Sequence, residues 1–190
     1  MTDFLLVRHG QTDWNAARLY QGQADIPLNE IGIEQAINLA RQLAGQVYVA
    51  LYASDLKRAV LTATILAQPL GLEINIDVRL REICQGAWEG LSFDEVQEKY
   101  AEDFKHGFED PSYSRAPGGE SVAEVAARMA AAADDIARLH PEGRVLIASH
   151  GLAVATLYCQ ANGIPLNEVY HHIPDNAVPL SITWPPREGI

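Results

Sequence analysis

Cysteine, lysine and long apolar runs are all scarce in this chain, and each shortage excludes something. Only two cysteines occur among 190 residues. Cys84 and Cys159 stand far apart and outside any C-x-x-C spacing, so the expectation is two reduced thiols in a cytoplasmic protein, not a bridge or a zinc site. No apolar stretch approaches the ~20 residues of a bilayer span. Met1-Thr2-Asp3 leads straight into an apolar run with no basic region or cleavage site before it, so neither a membrane nor a secretory route is expected. Cations are few: Lys+Arg number 14 against 25 Asp+Glu, a formal charge of −11. That balance repels nucleic acid and anionic lipid at long range, and neither is expected as a partner. Internal repeats and low-complexity linkers are also missing. What remains is an ordinary globular composition, 48% hydrophobic and 21% charged. The length predicts one domain, 1–190, whose core stands without metals or disulfides.

The apolar pattern alternates between strand and helix. Phe4-Leu5-Leu6-Val7 reads as a buried strand that stops at Arg8-His9-Gly10. Apolar positions then recur with helical period from Ile33 to Ala44 behind Asn29, a suitable N-cap. Val47 to Ala53 reads as a second strand, and Ser54 as the cap of a helix from Asp55 to about Ala67, ended by Pro69 and Gly71. Leu72 to Val78 is strand-like. Ser121-x-x-Glu124 forms a capping box before a long helix with Val122, Val125, Met129, Ala133 and Ile136 on one face. Val145 to Ala148 is the next buried strand, stopped by Ser149-His150-Gly151, and Leu152 to Gln160 looks helical. Between Cys84 and Gly119 no strand signal occurs, which suggests a lid-like helical and loop excursion over the sheet. The expected fold is a three-layer α/β/α sandwich with a mostly parallel sheet.

In open α/β sheets ligands bind beyond the carboxyl ends of the strands, which directs attention to Arg8, His9, Ser54, Glu82 and His150. Cations at strand ends and helix starts of an acidic protein suggest a small anion held locally. Arg8, Arg58 and His150 can surround a phosphoryl group, the planar guanidinium matching its oxygens. A neutral imidazole at His9, its pKa depressed by cationic neighbours, can attack phosphorus and form a phosphohistidine. Glu82 is the candidate acid for the leaving alkoxide and later the base for water, given a pKa raised by partial burial and by the substrate's charge. No metal or cofactor is required, because the donors already neutralise charge in the transition state.

These residues carry a resemblance. Leu6 to Asn15, containing Arg8-His9-Gly10, is similar to the opening signature of the histidine phosphatase superfamily, the phosphoglycerate mutase-like fold. Gln21 to Leu28, Ser54 to Ala59, Leu80-Arg81-Glu82 with Gly86 to Gly90, Pro117 to Ser121, and Ser149-His150-Gly151 resemble the family's further blocks in the same order. The resemblance spans nearly the whole chain. It implies His9 as nucleophile, Glu82 as proton donor, and Arg8, Arg58 and His150 as the phosphate pocket. Asn15 matches a phosphate-contacting asparagine, Gln21, Gly22 and Gln23 match a segment bordering the pocket, and Gly151 follows the second histidine. Asp175-Asn176-Ala177 resembles a block before the last strand, its Asn read as structural. Cys84-Gln85 departs from the pattern where many relatives carry an aromatic residue, and the tail beyond Trp184 is short; both bear on substrate preference.

The leading expectation is a metal-independent phosphomonoesterase acting on a small phosphorylated metabolite, of the histidine acid phosphatase type, with a homodimer left open. The alternative is a cofactor-dependent phosphoglycerate mutase, which returns the phosphoryl group to a sugar acid. Family mutases have a longer segment with adjacent arginines between the positions of Glu82 and His150, whereas only scattered Lys99, Lys105, Arg115, Arg128, Arg138 and Arg144 occur here. A non-catalytic phospho-ligand module is the third reading, opposed by the presence of His9, Glu82 and His150 together. His171-His172 is not expected to bind metal, since adjacent side chains point apart. His106 and His140 read as solvent-facing. Trp14, Trp88, Phe93 and Tyr113 either wall the pocket or belong to the core.

Overall fold

The computed structural model describes residues 1–104, 112 and 115–186. His106 and Tyr113 lie outside them. Five strands form one sheet among these residues: β1 (Thr2–Arg8), β2 (Ala50–Ala53), β3 (Ile74–Ile76), β4 (Arg144–Ser149) and β5 (Pro179–Trp184). Their order is β3-β2-β4-β1-β5, with β5 alone antiparallel to its neighbour. Alternation along the strands builds three layers. Phe4, Leu6, Val145 and Ile147 point to one face, where they meet Val122, Val125, Met129 and Ile136 of α5 (Val122–Leu139) and Leu152 to Leu157 of α6 (Gly151–Ala161). Leu5, Val7, Leu146 and Ala148 point to the other face, against α2 (Glu30–Leu43) and α3 (Lys57–Leu70). A one-residue slip would reverse every one of these side chains, so burial on both faces fixes the register. Truncating fully buried Leu146 to Ala would cost ~2–5 kcal/mol, the usual range for a core Leu.

Register also sets the site. Arg8 pairs with Ser149 and Ala53 with Ala148, so three strands end level, and the chain leaves them at His9, Ser54 and His150. The ladder runs one step beyond the strands, His9 N donating to Ser149 O at 2.9 Å and Ser54 N to Ala148 O at 3.1 Å. Asn29 caps α2 and Ser121 and Glu124 form the box that starts α5, as their spacing predicts. Other boundaries move. Strand β2 begins at Ala50, because Val47 and Val49 are exposed. Helix α3 starts at Lys57 behind Leu56, since Asp55 holds Arg81 and Ser54 holds His150. It passes Pro69 and ends at Gly71, whose φ of 64° is the left-handed cap that glycine suits. Strand β3 shortens to Ile74–Ile76 and gives way to a 3-10 turn, Val78–Leu80.

From Cys84 the chain makes a 3-10 turn (Gly86–Trp88) and two short helices, α1 (Asp13–Ala16) after β1 and α4 (Phe93–Lys99), pack nearby. Trp88, Val96 and Ala116 form a small separate core with Tyr20, Leu91, Tyr100 and Phe104. Phe93 is 49% exposed and meets Phe104 edge-on, so Trp88 is core and Phe93 is mostly surface. His140 is half-buried, its Nε2 3.0 Å from Tyr52 Oη, which corrects its reading as solvent-facing. No helix among the described residues is long and apolar enough to cross a membrane.

Candidate active site

The three level strand ends bring His9, Ser54 and His150 together. His9, at the end of β1, is buried, and its Nδ1 lies 2.7 Å from Gly10 O. A carbonyl only accepts, so Nδ1 carries the ring hydrogen and a neutral His9 presents the Nε2 lone pair. His150, at the end of β4, faces it with ring centroids 5.2 Å apart, and its Nε2 contacts Ser54 Oγ at 2.9 Å. From the first turn of α3 comes Arg58, wholly buried, donating to Ala24 O at 2.6 Å and Gly22 O at 2.7 Å. Arg8 is anchored by Nη1 to Pro174 O at 2.8 Å. Thr62, one turn beyond Arg58, accepts from Gly10 N at 3.1 Å and ties α3 to the loop after His9.

Burial and the neighbouring cations act together on the imidazoles. Burial, then Arg58, hold His9 well below the ordinary histidine range; the Gly10 hydrogen bond opposes this and Arg8 adds to it. His150 is held well below for the same first two reasons, followed by His9. Both rings are therefore neutral near pH 7, as the charge argument expected for His9, with burial the larger cause. Burial also lowers both guanidinium pKa values against the attraction of Glu82.

Four buried side-chain nitrogens have no hydrogen-bond partner among the described residues, and three of them are Arg8 Nε, Arg58 Nε and His150 Nδ1. The fourth, Trp88 Nε1, belongs to the small separate core. Buried donors without partners are rare, and each calls for an explanation. Here three belong to the residues that surround His9: His150 faces its ring at 5.2 Å, and Arg58 and Arg8 both act on its charge, so an anion with several acceptor oxygens beside His9 would give them partners when His150 Nδ1 carries a hydrogen.

Glu82 reaches the same place from the loop after the 3-10 turn. Its Oε1 accepts from Ile83 N at 3.0 Å and Ala153 N at 3.1 Å, and its Oε2 from Leu152 N at 3.1 Å. The carboxylate thus sits on the amino end of α6, whose N-cap is His150. Ser149 Oγ donates to Leu80 O at 2.7 Å and links that loop to β4.

The remaining expected residues divide by role. Gly22 supplies the carbonyl for Arg58, and its φ of 51° together with Glu89 packed over it excludes a side chain. Gln23 donates to Glu82 O at 3.1 Å, and its own amide donates to Glu89 Oε1 at 2.8 Å. Gly151 lies against Arg8: a Cβ there would come 3.2 Å from Arg8 Nε. Asn15 Oδ1 closes the capping box of α1 with Thr12, and Gln21 Oε1 accepts from Thr12 Oγ1 at 2.9 Å. Their acceptors are engaged in shaping the loop. Asn176 donates to His9 O at 2.9 Å, a structural role as expected. Missed by sequence reasoning were Glu120 and Arg128, which grip the Glu82 loop. Arg128 did leave a signal: it is one arginine set between Val125, Met129 and Ala132, all buried. No group of three His, Cys, Asp or Glu suited to a metal ion occurs among the described residues.

Known proteins resemble this chain over most of its length. Phosphoserine phosphatase 1 of Hydrogenobacter thermophilus is 36% identical over 177 residues, 93% of this chain and 84% of that protein. A probable phosphoglycerate mutase of Yersinia pestis is 40% identical over 168 residues, 87% of this chain and 77% of its own length. A mycobacterial glucosyl-3-phosphoglycerate phosphatase, solved with VO3, superposes with a TM-score of 0.87 at 29% identity, covering 95% of this chain and 90% of that one. The model of the histidine phosphatase superfamily (branch 1) matches residues 4–189. The chain belongs to that superfamily.

Proposed function

We propose that the chain hydrolyses phosphate monoesters of small metabolites in two steps through a phosphohistidine on His9. The observation that carries this reading is that the buried neighbours of a neutral His9, namely Arg8, Arg58 and His150, each keep a side-chain nitrogen without a partner. When Ser54 Oγ donates to His150 Nε2, His150 Nδ1 carries a hydrogen and joins the two arginines as a third donor to the phosphoryl oxygens. Such donors, fixed before substrate arrives, stabilise charge in the transition state without reorganisation. His9 Nε2 forms the bond to phosphorus as the ester P–O bond breaks. Glu82 protonates the leaving oxygen; its Oε2 accepts one hydrogen bond and keeps a lone pair where that proton can sit. The resulting carboxylate then takes a proton from water, which attacks phosphorus and frees His9 and inorganic phosphate. On this reading the chain is a single domain, and the described part of the excursion, 84–104, 112 and 115–119, belongs to its lid.

Turnover of an aryl phosphate in EDTA tests the reading directly. Sustained release of the phenol supports it, and binding without turnover makes the chain a phospho-ligand module instead. The mutase reading has a relative of that name at 40% identity in its favour. Against it, a mutase must grip the acceptor's carboxylate, and the cations of the excursion that lie among the described residues are engaged elsewhere. Lys99 pairs with Glu95 at 3.4 Å and Arg115 with Glu124 at 3.1 Å. Phosphoserine, phosphoglycerates, sugar phosphates and α-ribazole phosphate all fit the phosphoryl half of the site, and a panel of such esters, ranked by kcat/KM, identifies the preferred one.

A further inference from the structure

The carboxylate assigned to proton transfer stands on a loop with no ladder of its own. Arg81 is extended, and Glu82 to Gln85 belong to neither helix nor strand. A general acid must nevertheless lie within ~2.6–3.2 Å of the oxygen it protonates, and a misplacement of ~1 Å costs about 10² in rate. Something must hold this loop.

Arg128, on α5, directs all five guanidinium N–H groups at it and at one counter-ion. Nη1 donates to Arg79 O at 2.8 Å and Arg81 O at 2.6 Å, and Nη2 to Glu82 O at 2.9 Å. Nε and the second hydrogen of Nη2 go to Glu120, at 2.9 and 3.0 Å. Glu120 grips the other side: its Oε2 accepts from Cys84 N at 2.8 Å, and Gln23 Nε2 approaches it at 3.4 Å. The carbonyl of Glu82 and the amide two residues on are therefore held by the two halves of one ion pair, 19% and 24% exposed. The same place is the base of the excursion, where Glu120 N donates to Cys84 O and Ala87 N to Pro117 O, each at 2.9 Å. A lysine could not replace this arginine, because a single ammonium lacks the planar fork that spans three carbonyls and a carboxylate.

We infer that Arg128, with Glu120, is the positioning residue for Glu82: the pair sets where the proton donor stands and touches neither the phosphoryl group nor His9. The inference rests on the proposed role of Glu82, and its test separates the two. Four proteins are compared, wild type, Glu82→Gln, Arg128→Met and Glu120→Gln, on p-nitrophenyl phosphate and on an alkyl phosphate. Inorganic phosphate, as competitive inhibitor, reports on the cradle. Arg128→Met is expected to lower kcat/KM on the alkyl ester about 10²-fold and on the aryl ester less than about fivefold, since a phenolate leaves with little protonation. Inhibition by phosphate is expected to stay within about twofold of wild type, because the cradle keeps every hydrogen bond and loses only the charge of Arg128 that acts on His150.

An equal fall on both esters, or weakened phosphate inhibition, would show a merely structural residue and overturn the inference. If Arg128→Met does not fold, Glu120→Gln decides: it keeps the shape, loses the charge, and should show the same selectivity at about tenfold, within the range of a charged hydrogen bond. Absence of selectivity there also overturns it. If Glu82→Gln fails to discriminate between the esters, the proton-transfer reading falls and the inference with it. If Glu82→Gln discriminates and the Arg128 and Glu120 variants do not, the inference alone falls.

Discussion

Gly151→Ala separates activity from stability more sharply than removal of any charged group. A Cβ at this position would stand 3.0 Å from Ile173 Cγ2, 3.2 Å from Arg8 Nε and 3.3 Å from Arg8 Cζ. These contacts are tighter than ordinary van der Waals spacing, so one neighbour must give by a few tenths of an ångström. Ile173 precedes Pro174, whose carbonyl anchors Arg8, so either displacement moves the guanidinium. A lost charged hydrogen bond from Arg8 to the phosphoryl group is worth ~1.5–3 kcal/mol, or about 10- to 100-fold in kcat/KM. Stability should hardly change. Gly151 opens α6, where Ala gains up to ~1 kcal/mol in helix propensity, and mild overpacking costs a similar amount. A thermal melt should therefore stay within about 4 °C of wild type. The measurements are kcat/KM on an aryl phosphate, the inhibition constant of inorganic phosphate, and the melt. Activity and phosphate inhibition both within about twofold of wild type, with the melt unchanged, would mean that Arg8 does not bind the phosphoryl group, since the lost bond alone predicts more.

Replacing His9 by Ala should abolish turnover while the near-UV spectrum keeps its native form, and acid-sensitive phosphate trapped on wild-type protein during turnover should be absent from the variant; normal activity in a folded variant would refute the nucleophile. Glu82→Gln should slow alkyl phosphates about 10²- to 10⁴-fold and aryl phosphates far less, the range of general acid catalysis, and equal slowing would make Glu82 an electrostatic residue only. Because burial lowers both imidazole pKa values in the folded chain, the unfolded chain binds more protons once pH drops below its histidine pKa of ~6.5. Stability to urea should accordingly fall as pH falls through that value, and a His150→Asn variant should show a shallower slope; a flat wild-type profile would contradict neutral buried rings. With 3-phosphoglycerate, inorganic phosphate should appear without appreciable 2-phosphoglycerate, whether or not 2,3-bisphosphoglycerate is added, and interconversion outpacing phosphate release would install the mutase reading.

Local physics made part of this molecule legible. The buried runs at Phe4 to Val7 and Val145 to Ala148 are apolar on both faces because helices cover both sides of the sheet, and a run of that kind ends where the chain meets solvent or a ligand. His9 and His150 could be placed from that alone. Asn29 and the Ser121–Glu124 box were equally readable, since a cap acts within four residues of itself. Ser54 was not. Its spacing suits an N-cap, but its hydroxyl is drawn to His150, 96 positions away in sequence, and α3 starts later as a result. Strand β5 was expected only through the family block before it, because its partly exposed residues and its flanking prolines carry a weak strand signal.

Arg58 shows why the candidate site and the fold have to be argued together. Taking a guanidinium out of water costs several kcal/mol even after relaxation, and a fully buried arginine is tolerated only where fixed dipoles and opposite charges offset that cost. Two carbonyls, Gly22 O and Ala24 O, do part of this, and Glu82, Asp25 and Glu89 attract the charge from further off. Gly22 can present its carbonyl because a positive φ turns the loop there, and Glu89 packs where any side chain on Gly22 would stand. Yet Arg58 Nε stays unpartnered, as do Arg8 Nε and His150 Nδ1. The two carbonyl bonds give Arg58 a structural role, yet they leave the desolvation of a buried charge and one unsatisfied donor only partly offset. An anion that fills the gap offsets the remainder: it meets the orphaned donors in a water-poor site, where each hydrogen bond is stronger than in solvent. The chain's net charge of −11 does not oppose this, because salt screens exposed carboxylates over a Debye length of ~8–10 Å while Arg8 and Arg58 are buried beside His9.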